Sequence, residues 1–311
     1  MSHFAKIKEA RMHEFTTLLA THGRSVEKRL DGLLNNKIEN GEIARPEILL
    51  KAMRYGVLNG GKRLRPFLVI QSGALFDIPP EHSLDVACAL ECVHCYSLIH
   101  DDLPAMDNDT LRRGQPTVHK AFDEATAILA GNALLTFAFE IIAHKAFALS
   151  FETRIKLITA LAQSAGLGGM IGGQMLDIEA EKTPQESTNI MTLQRMKTAA
   201  LISFACQAGA IISNASQELT EKLAAFGTYL GLAFQLTDDL LDVTASSEDL
   251  GKTAGKDETA QKATFVRLYG IKETQKKRDE LIAKAESLLH SFGEKAKPLQ
   301  QAAHFSVTRK N

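Results

Sequence analysis

Apolar residues recur along most of the chain at intervals of three and four positions, the spacing that places them on one face of an α-helix. The longest such segments are residues 84–100, 125–147 and 218–243. The last two are apolar around most of their circumference, which is typical of helices inside a bundle. No Val/Ile/Thr-rich alternating run occurs between turn residues, so a sheet is not expected. The pattern predicts an all-α protein.

The predicted breaks between helices are short. They fall at residues 78–80, 104–109, 182–187 and 246–262. No linker, composition shift or repeat of fixed period divides the chain. We therefore expect one all-helical domain over residues 1–311.

The charge balance limits the partners to be expected, and the cysteine content limits the compartment. The 36 Lys and Arg residues balance 37 Asp and Glu residues, so no overall field would attract nucleic acid or an anionic membrane. Four cysteines in 311 residues are too few for a disulfide framework and fit a reducing compartment. The N-terminus has no signal-peptide core and no run of eighteen apolar residues occurs. A cytoplasmic protein without a membrane span is expected.

The first candidate site is an acidic cluster at the end of an apolar helix. Asp101 and Asp102 are adjacent, and Pro104 should end or bulge the helix so that Asp107 turns back toward them. Three converging carboxylates repel unless a cation binds, and an oxygen-only ligand set suits Mg²⁺ shared with a phosphate. A solvated acidic helix end is the alternative. Arg112 and Arg113 favour the metal site, because forked donors beside it would grip phosphate.

A second acidic cluster lies in the apolar segment FQLTDDLLDV. Asp238 and Asp242 are one helical turn apart on one face, and Asp239 lies beside them. Carboxylates on a mostly apolar helix need a partner, because burying them unpaired is costly. Two such clusters on core-facing helices could hold a small magnesium cluster with a polyanion between them.

Basic residues could bind further phosphate. Lys62, Arg63 and Arg65 follow a Gly pair at a predicted helix start, where backbone amides favour an anion. A solvated basic turn would explain them equally well. His94 lies two turns before Asp101 and is either a further donor or a core histidine. The remaining cations of interest are Lys197, Lys252 and Lys256.

Together these motifs resemble those of the trans-isoprenyl diphosphate synthases, most of all the bacterial short-chain farnesyl diphosphate synthases. DDLPAMD followed by RR resembles the first aspartate-rich motif and DDLLD the second. Further matching segments follow in order, over about residues 50–260: GGKRLRP, ECVHCYSLIHDD, GGQMLD, MKTA, FQLTDD and GKTAGKD. The ending HFSVTRKN does not closely match, and no role is assigned to it.

The resemblance implies about ten core helices around a deep central cavity, commonly in a homodimer. It implies head-to-tail 1'-4 condensation of isopentenyl diphosphate with dimethylallyl and geranyl diphosphates, helped by about three Mg²⁺ ions, with Mn²⁺ as a substitute. The implied metal ligands are Asp101, Asp102, Asp107, Asp238 and Asp242.

The same resemblance assigns substrate-binding roles. The allylic diphosphate would meet Arg112, Lys197 and Lys256, and isopentenyl diphosphate would meet Lys62, Arg65, His94 and Arg113. Thr198 and Gln235 would line the space where the allylic cation forms. The polar segment 246–262 could close over the substrate, with Lys252 and Lys256 as its anchors.

Product length is predicted from the helix that carries the first cluster. Tyr96 lies five residues before Asp101, roughly 7.5 Å along the helix. Its ring, next to Ser97, could stop a growing chain at C15, and the family associates an aromatic residue at this place with that product. The alternatives are that Tyr96 only packs in the core, and that the protein is a geranylgeranyl diphosphate synthase.

Other classes remain as alternatives. A class I terpene cyclase shares the first motif, but would carry an Asn/Ser/Glu-type second motif and lack Lys62 and Arg65. His100 beside Asp101 suggests an HD-type phosphohydrolase, whose further metal-binding histidines are not found. A regulatory subunit would have lost aspartates. Zinc at Cys88, Cys92 and Cys95 is disfavoured, because these residues fit helix packing better.

Overall fold

The computed structural model describes residues 3–39, 41–144, 149–180, 182, 187–248 and 264–308, of which residues 3–11, 187–188 and 244–248 by backbone only. Helices account for most of this part of the chain. Their bounds are α1 His3–Leu33, α2 Glu47–Leu58, α3 Leu64–Ala74, α4 Pro80–Asp101, α5 Val118–Ala121, α6 Glu124–Ala143, α7 Phe151–Ala165, α8 Met170–Ala180, α9 Ser187–Gln194, a π-helix Arg195–Ala199, α10 Ala200–Ile212, α11 Gln217–Glu248, α12 Phe265–Leu289, a 3₁₀ helix His290–Ala296 and α13 Lys297–Thr308. The all-α prediction is confirmed.

One short hairpin corrects the expectation of no sheet. Strands β1 (Leu111–Arg112) and β2 (Gln115–Pro116) pair antiparallel. The two residues between them, Arg113 and Gly114, have φ angles of 53° and 76°. Positive φ at both positions is the geometry of a type I′ turn, which matches the twist of a two-residue hairpin.

Local sequence signals explain where several helices begin. Asp123 caps α6, and its carboxylate accepts a hydrogen bond from the Thr126 amide at 2.8 Å. Ser150 caps α7 in the same way through the amide of Thr153. Such caps satisfy amides that have no partner within the helix. The helix α4 begins instead with Pro80, whose fixed φ suits a first helical position.

The helices α3, α4, α10 and α11 contribute much of the buried core, and the other long helices pack around them. Contact between α3 and α10 is close, because Gly209 has no side chain: its amide donates to Ser72 Oγ at 3.0 Å, and a Cβ there would lie 2.1 Å from the Ser72 backbone. The helix α4 is buried along most of its length. It therefore carries the first acidic cluster from the core to the surface of the bundle.

Two helical stretches, α6 and Phe151–Ala180, have the length and composition of a membrane span. Core helices of proteins without a membrane pass the same test. The second stretch is interrupted, since α7 ends at Ala165 and α8 begins at Met170.

Candidate active site

The first acidic cluster forms where α4 ends. The helix stops at Asp101, Asp102 is its C-cap, and the turn through Pro104 brings the Asp107 amide to 2.8 Å from the Asp101 carbonyl oxygen. The predicted bend after the aspartate pair is therefore confirmed. Asp102 is buried, Asp101 is half-buried and Asp107 is exposed.

The hairpin places Arg112 against this cluster. Its Nε and Nη2 atoms donate to Asp102 Oδ1 at 2.8 and 2.5 Å, and Nη2 also reaches Asp109 Oδ2 at 3.3 Å. Burial raises the pKa of Asp102, and the hydrogen bond from Arg112 opposes that shift. Arg112 thus already pairs with a carboxylate that the sequence assigns to a metal. A ligand that drew Asp102 onto a cation would release this guanidinium for phosphate.

Asp101 is the most perturbed carboxyl group at the site. Burial raises the pKa of Asp101 to about 6, with Lys197 opposing the shift and Asp107 adding to it. These interactions also show that the end of α4 and the π-helix face the same space. A carboxylate destabilised by burial and by like charges gains most from a bound cation.

The aspartates of the second cluster lie in different surroundings. Asp239 is buried and accepts hydrogen bonds from Gln194 Nε2 and Gln235 Nε2, both at 3.1 Å. Burial raises the pKa of Asp239, and the two amides oppose the shift. Asp239 therefore anchors α11 to α9. Asp238 and Asp242 lie on a different side of α11, half-buried and exposed respectively.

No three His, Cys, Asp or Glu side chains are grouped closely enough to hold a metal ion by themselves in the described part of the chain. The predicted convergence of the Asp101, Asp102 and Asp107 carboxylates is therefore not seen, and Asp102 is paired with Arg112 instead. The cysteines Cys88, Cys92 and Cys95 are buried within α4. Magnesium usually takes only one or two protein carboxylates and completes its shell with water and phosphate oxygens. The two clusters fit that chemistry better than they fit a closed protein cage.

The π-helix carries Lys197 and Thr198. Lys197 Nζ donates to Asp177 Oδ2 at 2.5 Å, and Thr198 Oγ1 donates to Gln235 Oε1 at 2.9 Å. The helix α8 approaches the π-helix closely because Gly173 has no side chain, and a Cβ there would lie 2.2 Å from the backbone nitrogen of Lys197. π-Helical turns are frequent at functional sites. Asp177 was missed as a functional candidate, although GGQMLD is one of the matching segments.

The basic residues of the loop between α2 and α3 meet the hairpin and α4. The guanidinium of Arg113 donates to the Gly60 carbonyl and packs on Gly61, where a Cβ would lie 2.6 Å from Arg113 Cζ. Arg65 Nη1 is 3.4 Å from His94 Nε2. Because a guanidinium only donates, that nitrogen of His94 accepts. Three of the four residues assigned to isopentenyl diphosphate, Arg65, His94 and Arg113, therefore lie close together.

Burial lowers the pKa values of two basic groups in this region, Arg65 and His94. Burial lowers the pKa of Arg65, and the carboxylates of Glu91 and Asp238 oppose the shift. Burial also lowers the pKa of His94 well below its usual value, and Arg65 and Arg113 lower it further. His94 is therefore a neutral imidazole near pH 7. The carboxylate of Asp238 is near enough to Arg65 to favour its charged form.

Phe305 and Glu91 are two neighbours of this region that were not found from the sequence. Lys62 Nζ lies 5.7 Å from the centre of the Phe305 ring, in α13, although no role was assigned to the C-terminal segment. Arg63, grouped with Lys62 and Arg65 in the sequence, is buried and ion-paired with Glu91. Its guanidinium is therefore already paired within the protein.

The proposed chain-length residue lies inside the bundle. Tyr96 is 5% exposed, and its hydroxyl has no hydrogen-bond partner within the described residues. Burial, with a smaller contribution from Asp101, raises the pKa of Tyr96 to about 12. Ser97 donates to the His94 carbonyl at 2.9 Å and is half-buried.

Lys252, Lys256 and most of the segment 246–262 lie outside the described residues, although α11 continues through Glu248.

Residues 46–299 match the family model described as polyprenyl synthetase. The chain is 39% identical over 278 residues to a farnesyl diphosphate synthase of Bacillus subtilis, covering 89% of this chain and 92% of that one. It is 40% identical over 302 residues to geranylgeranyl pyrophosphate synthase 7 of Arabidopsis thaliana, covering 96% and 85%. The structure of an FPP/GFPP synthase from Zymomonas mobilis superposes with a TM-score of 0.85 at 38% identity, covering 96% of this chain and 100% of that one.

Proposed function

Because the chain belongs to the polyprenyl synthetase family, we propose that it joins isopentenyl diphosphate head to tail (1'-4) to dimethylallyl and then geranyl diphosphate, releasing diphosphate and giving (2E,6E)-farnesyl diphosphate. Prenyl transfer is the chemistry of the family. The C15 product is the finer statement, and one observation carries it: Tyr96 is buried on α4 five residues before Asp101. A ring at that depth would stop the chain after three isoprene units.

The donor set fits Mg²⁺. Asp101, Asp102 and Asp107 at the end of α4, with Asp238 and Asp242 on α11, supply oxygen only. The raised pKa of Asp101 means that burial disfavours its charged form, and a bound cation would offset that cost. When bound, Mg²⁺ would neutralise negative charge on the allylic diphosphate as its C–O bond breaks.

The protein's own cations would act on the same diphosphate. Lys197, held by Asp177 in the structure, and Arg112, held by Asp102, would each exchange a carboxylate for a phosphate oxygen. We also assign Lys252 and Lys256 to this diphosphate from the motif GKTAGKD. Because these charges are in place before the bond breaks, they stabilise the leaving group with little reorganisation.

Isopentenyl diphosphate would bind without a metal at Lys62, Arg65, His94 and Arg113. Held there, its double bond would attack the allylic cation, whose positive charge the Thr198–Gln235 pair would face. The departing diphosphate would take the proton released when the new double bond forms. The arrangement needs proximity and exclusion of water, and it needs no protein nucleophile.

A geranylgeranyl diphosphate synthase is the second candidate. Relatives about equally similar to this chain carry either product name, so the family match does not discriminate. Tyr96 is the feature that favours C15. A terpene cyclase is less consistent with the chain, because the Lys62, Arg65, His94 and Arg113 group would have no second diphosphate to bind.

The direct test incubates purified protein with isopentenyl and dimethylallyl diphosphates and Mg²⁺, and sizes the products by mass spectrometry. A C15 diphosphate is expected. The variants Asp101→Ala and Asp238→Ala should each lose condensation by a large factor. If both variants kept Mg²⁺-dependent condensation, the assignment of the two clusters would be wrong.

We further propose a cytoplasmic homodimer. Large apolar side chains are exposed on the two helices with span-like composition, including Leu129 on α6 and Phe151 and Ile155 on α7. An apolar patch of this kind marks an interaction surface, and a second copy would cover it without a membrane. Light scattering with size-exclusion chromatography, in buffer without detergent, should give twice the mass of the chain, and a monomer would contradict the proposal.

A further inference from the structure

The loop between α2 and α3 has an unusual backbone. Gly60 and Gly61 have positive φ, and Arg63, the N-cap of α3, has φ 51° and ψ 36°. A non-glycine residue in this left-handed region costs roughly 1 kcal/mol. Lys62 and Arg65 flank Arg63, so the directions of both depend on this turn being held.

The side chain of Arg63 is held from three helices. Its Nη1 donates to Glu91 Oε1 at 2.5 Å in α4, and its Nη2 donates to the Val57 carbonyl at 2.6 Å in α2. Its Nε and Nη2 approach Glu27 Oε1 of α1 at 3.3 and 3.2 Å. All three nitrogens of the guanidinium are therefore engaged within the protein. Arg63 cannot grip a ligand without breaking these contacts.

Glu91 connects this anchor to the neighbouring basic residues. It is buried on α4, one turn before His94 and Cys95, and the Cys95 thiol lies 3.8 Å from the same Oε1 atom. Its carboxylate also favours the charged form of Arg65. The buried carboxylate of Glu91 thus accepts a hydrogen bond from Arg63 and also stabilises the charge of Arg65, which belongs to the proposed substrate site. Removing one partner of such a pair leaves an uncompensated buried charge.

We propose that the buried Arg63–Glu91 ion pair is a positioning device for the metal-free diphosphate site, fixing the left-handed turn at Arg63 and thereby aiming Lys62 and Arg65 at the ligand. The inference rests on the proposed function. It adds two residues that do not touch substrate and act through those that do. Because Lys62 and Arg65 would bind the diphosphate directly, the pair would set the affinity for isopentenyl diphosphate while leaving the allylic site intact.

The experiment compares Glu91→Gln, Arg63→Met and the double variant with the wild-type protein. Isopentenyl diphosphate is titrated calorimetrically in EDTA, and an unreactive allylic thiodiphosphate is titrated with Mg²⁺. Each single variant should bind isopentenyl diphosphate at least about tenfold more weakly, a loss of about 1.4 kcal/mol, and bind the allylic analogue within about twofold. Asp85→Asn is the matched control, because it removes a different ion pair of α4, with Arg29 of α1 at 2.6 Å, away from the loop.

The double variant separates positioning from stability. Without either charge it should regain thermal stability relative to the single variants, yet still bind isopentenyl diphosphate weakly. Wild-type affinity in the double variant, or equal losses at both sites in all variants, would overturn the inference. If the wild-type protein failed to bind isopentenyl diphosphate, the proposed function would fail first, and the inference with it.

Discussion

Tyr96 and His100 lie one turn apart on α4 with ring centroids 5.7 Å apart and planes at 80°. His100 is fixed in turn, because its Nε2 is 3.1 Å from the Ile128 carbonyl of α6. Carbonyl oxygens only accept, so this nitrogen carries the proton. The edge-to-face contact therefore connects the proposed floor of the product cavity to the helix packed beside it.

Replacing Tyr96 with Ala should lengthen the product. Removal of the ring opens space along α4, and we expect C20 or longer diphosphates from the same substrates. Tyr96→Phe is the matched control: it keeps the ring and removes a buried hydroxyl that has no partner within the described residues. That variant should keep the C15 product and match or exceed wild-type stability. Mass spectrometry of products measures both, and an unchanged profile in Tyr96→Ala would refute the role.

Replacing Gly131 with Ala should disturb His100. A Cβ at Gly131 would lie 2.1 Å from His100 Nε2, so the ring must leave the Ile128 carbonyl. We expect a loss of about 1–3 kcal/mol in the free energy of unfolding, together with some longer products as Tyr96 loses its contact. Urea unfolding and product sizing provide the two measurements.

Gly32→Ala is the control for helix propensity. Gly32 lies in the last turn of α1, with nothing within 4 Å of an added Cβ. Alanine there should stabilise the protein by up to about 1 kcal/mol. If Gly131→Ala stabilised the protein equally, the close contact with His100 would not be a constraint.

The sequence predicted the helical fold and the turn that brings the Asp107 backbone to the end of α4, because helical periodicity and a proline after an aspartate pair are local signals. It could not predict that Arg63 and Arg65 have different surroundings, because both are arginines and they lie only two positions apart. Their different roles depend on a left-handed turn and on Glu91, which is 28 residues beyond Arg63 along the chain.

The same limit applies to Asp238 and Asp239. One helical step turns Asp239 toward Gln194 and Gln235, and only the packing of α9 against α11 shows which carboxylate is used as an anchor. The hairpin was missed because its turn, Arg113–Gly114, lacks the usual Asn-Gly or Asp-Gly signal. The contact of Arg113 with Gly60 and Gly61 helps to hold that turn.

Phe305 should contribute to the binding of isopentenyl diphosphate. Its ring lies under the ammonium group of Lys62, and a cation–π contact at a partly exposed site contributes about 0.5–1 kcal/mol. Phe305→Leu should raise the KM for isopentenyl diphosphate by about two- to fivefold and leave the allylic KM unchanged. Phe292→Leu is the control, since Phe292 packs against Phe76. Equal effects of both variants on both substrates would indicate a general loss of packing.

The Mg²⁺ requirement should depend on pH through Asp101. Burial raises the pKa of Asp101 to about 6, so below that pH the proton competes with the cation, and the Mg²⁺ concentration for half-maximal rate should rise up to about tenfold per pH unit. In the absence of metal, low pH has the opposite effect: it stabilises the folded protein instead of weakening it. A carboxyl whose folded pKa is raised favours the folded state at low pH, and that advantage is lost as pH rises through about 6. Thermal unfolding from pH 5 to 8, without and with Mg²⁺ and the allylic thiodiphosphate, measures both effects. Asp101→Asn, which cannot titrate there, should flatten the metal-free difference. If wild-type and variant protein showed the same pH dependence, the buried carboxyl would not be its source.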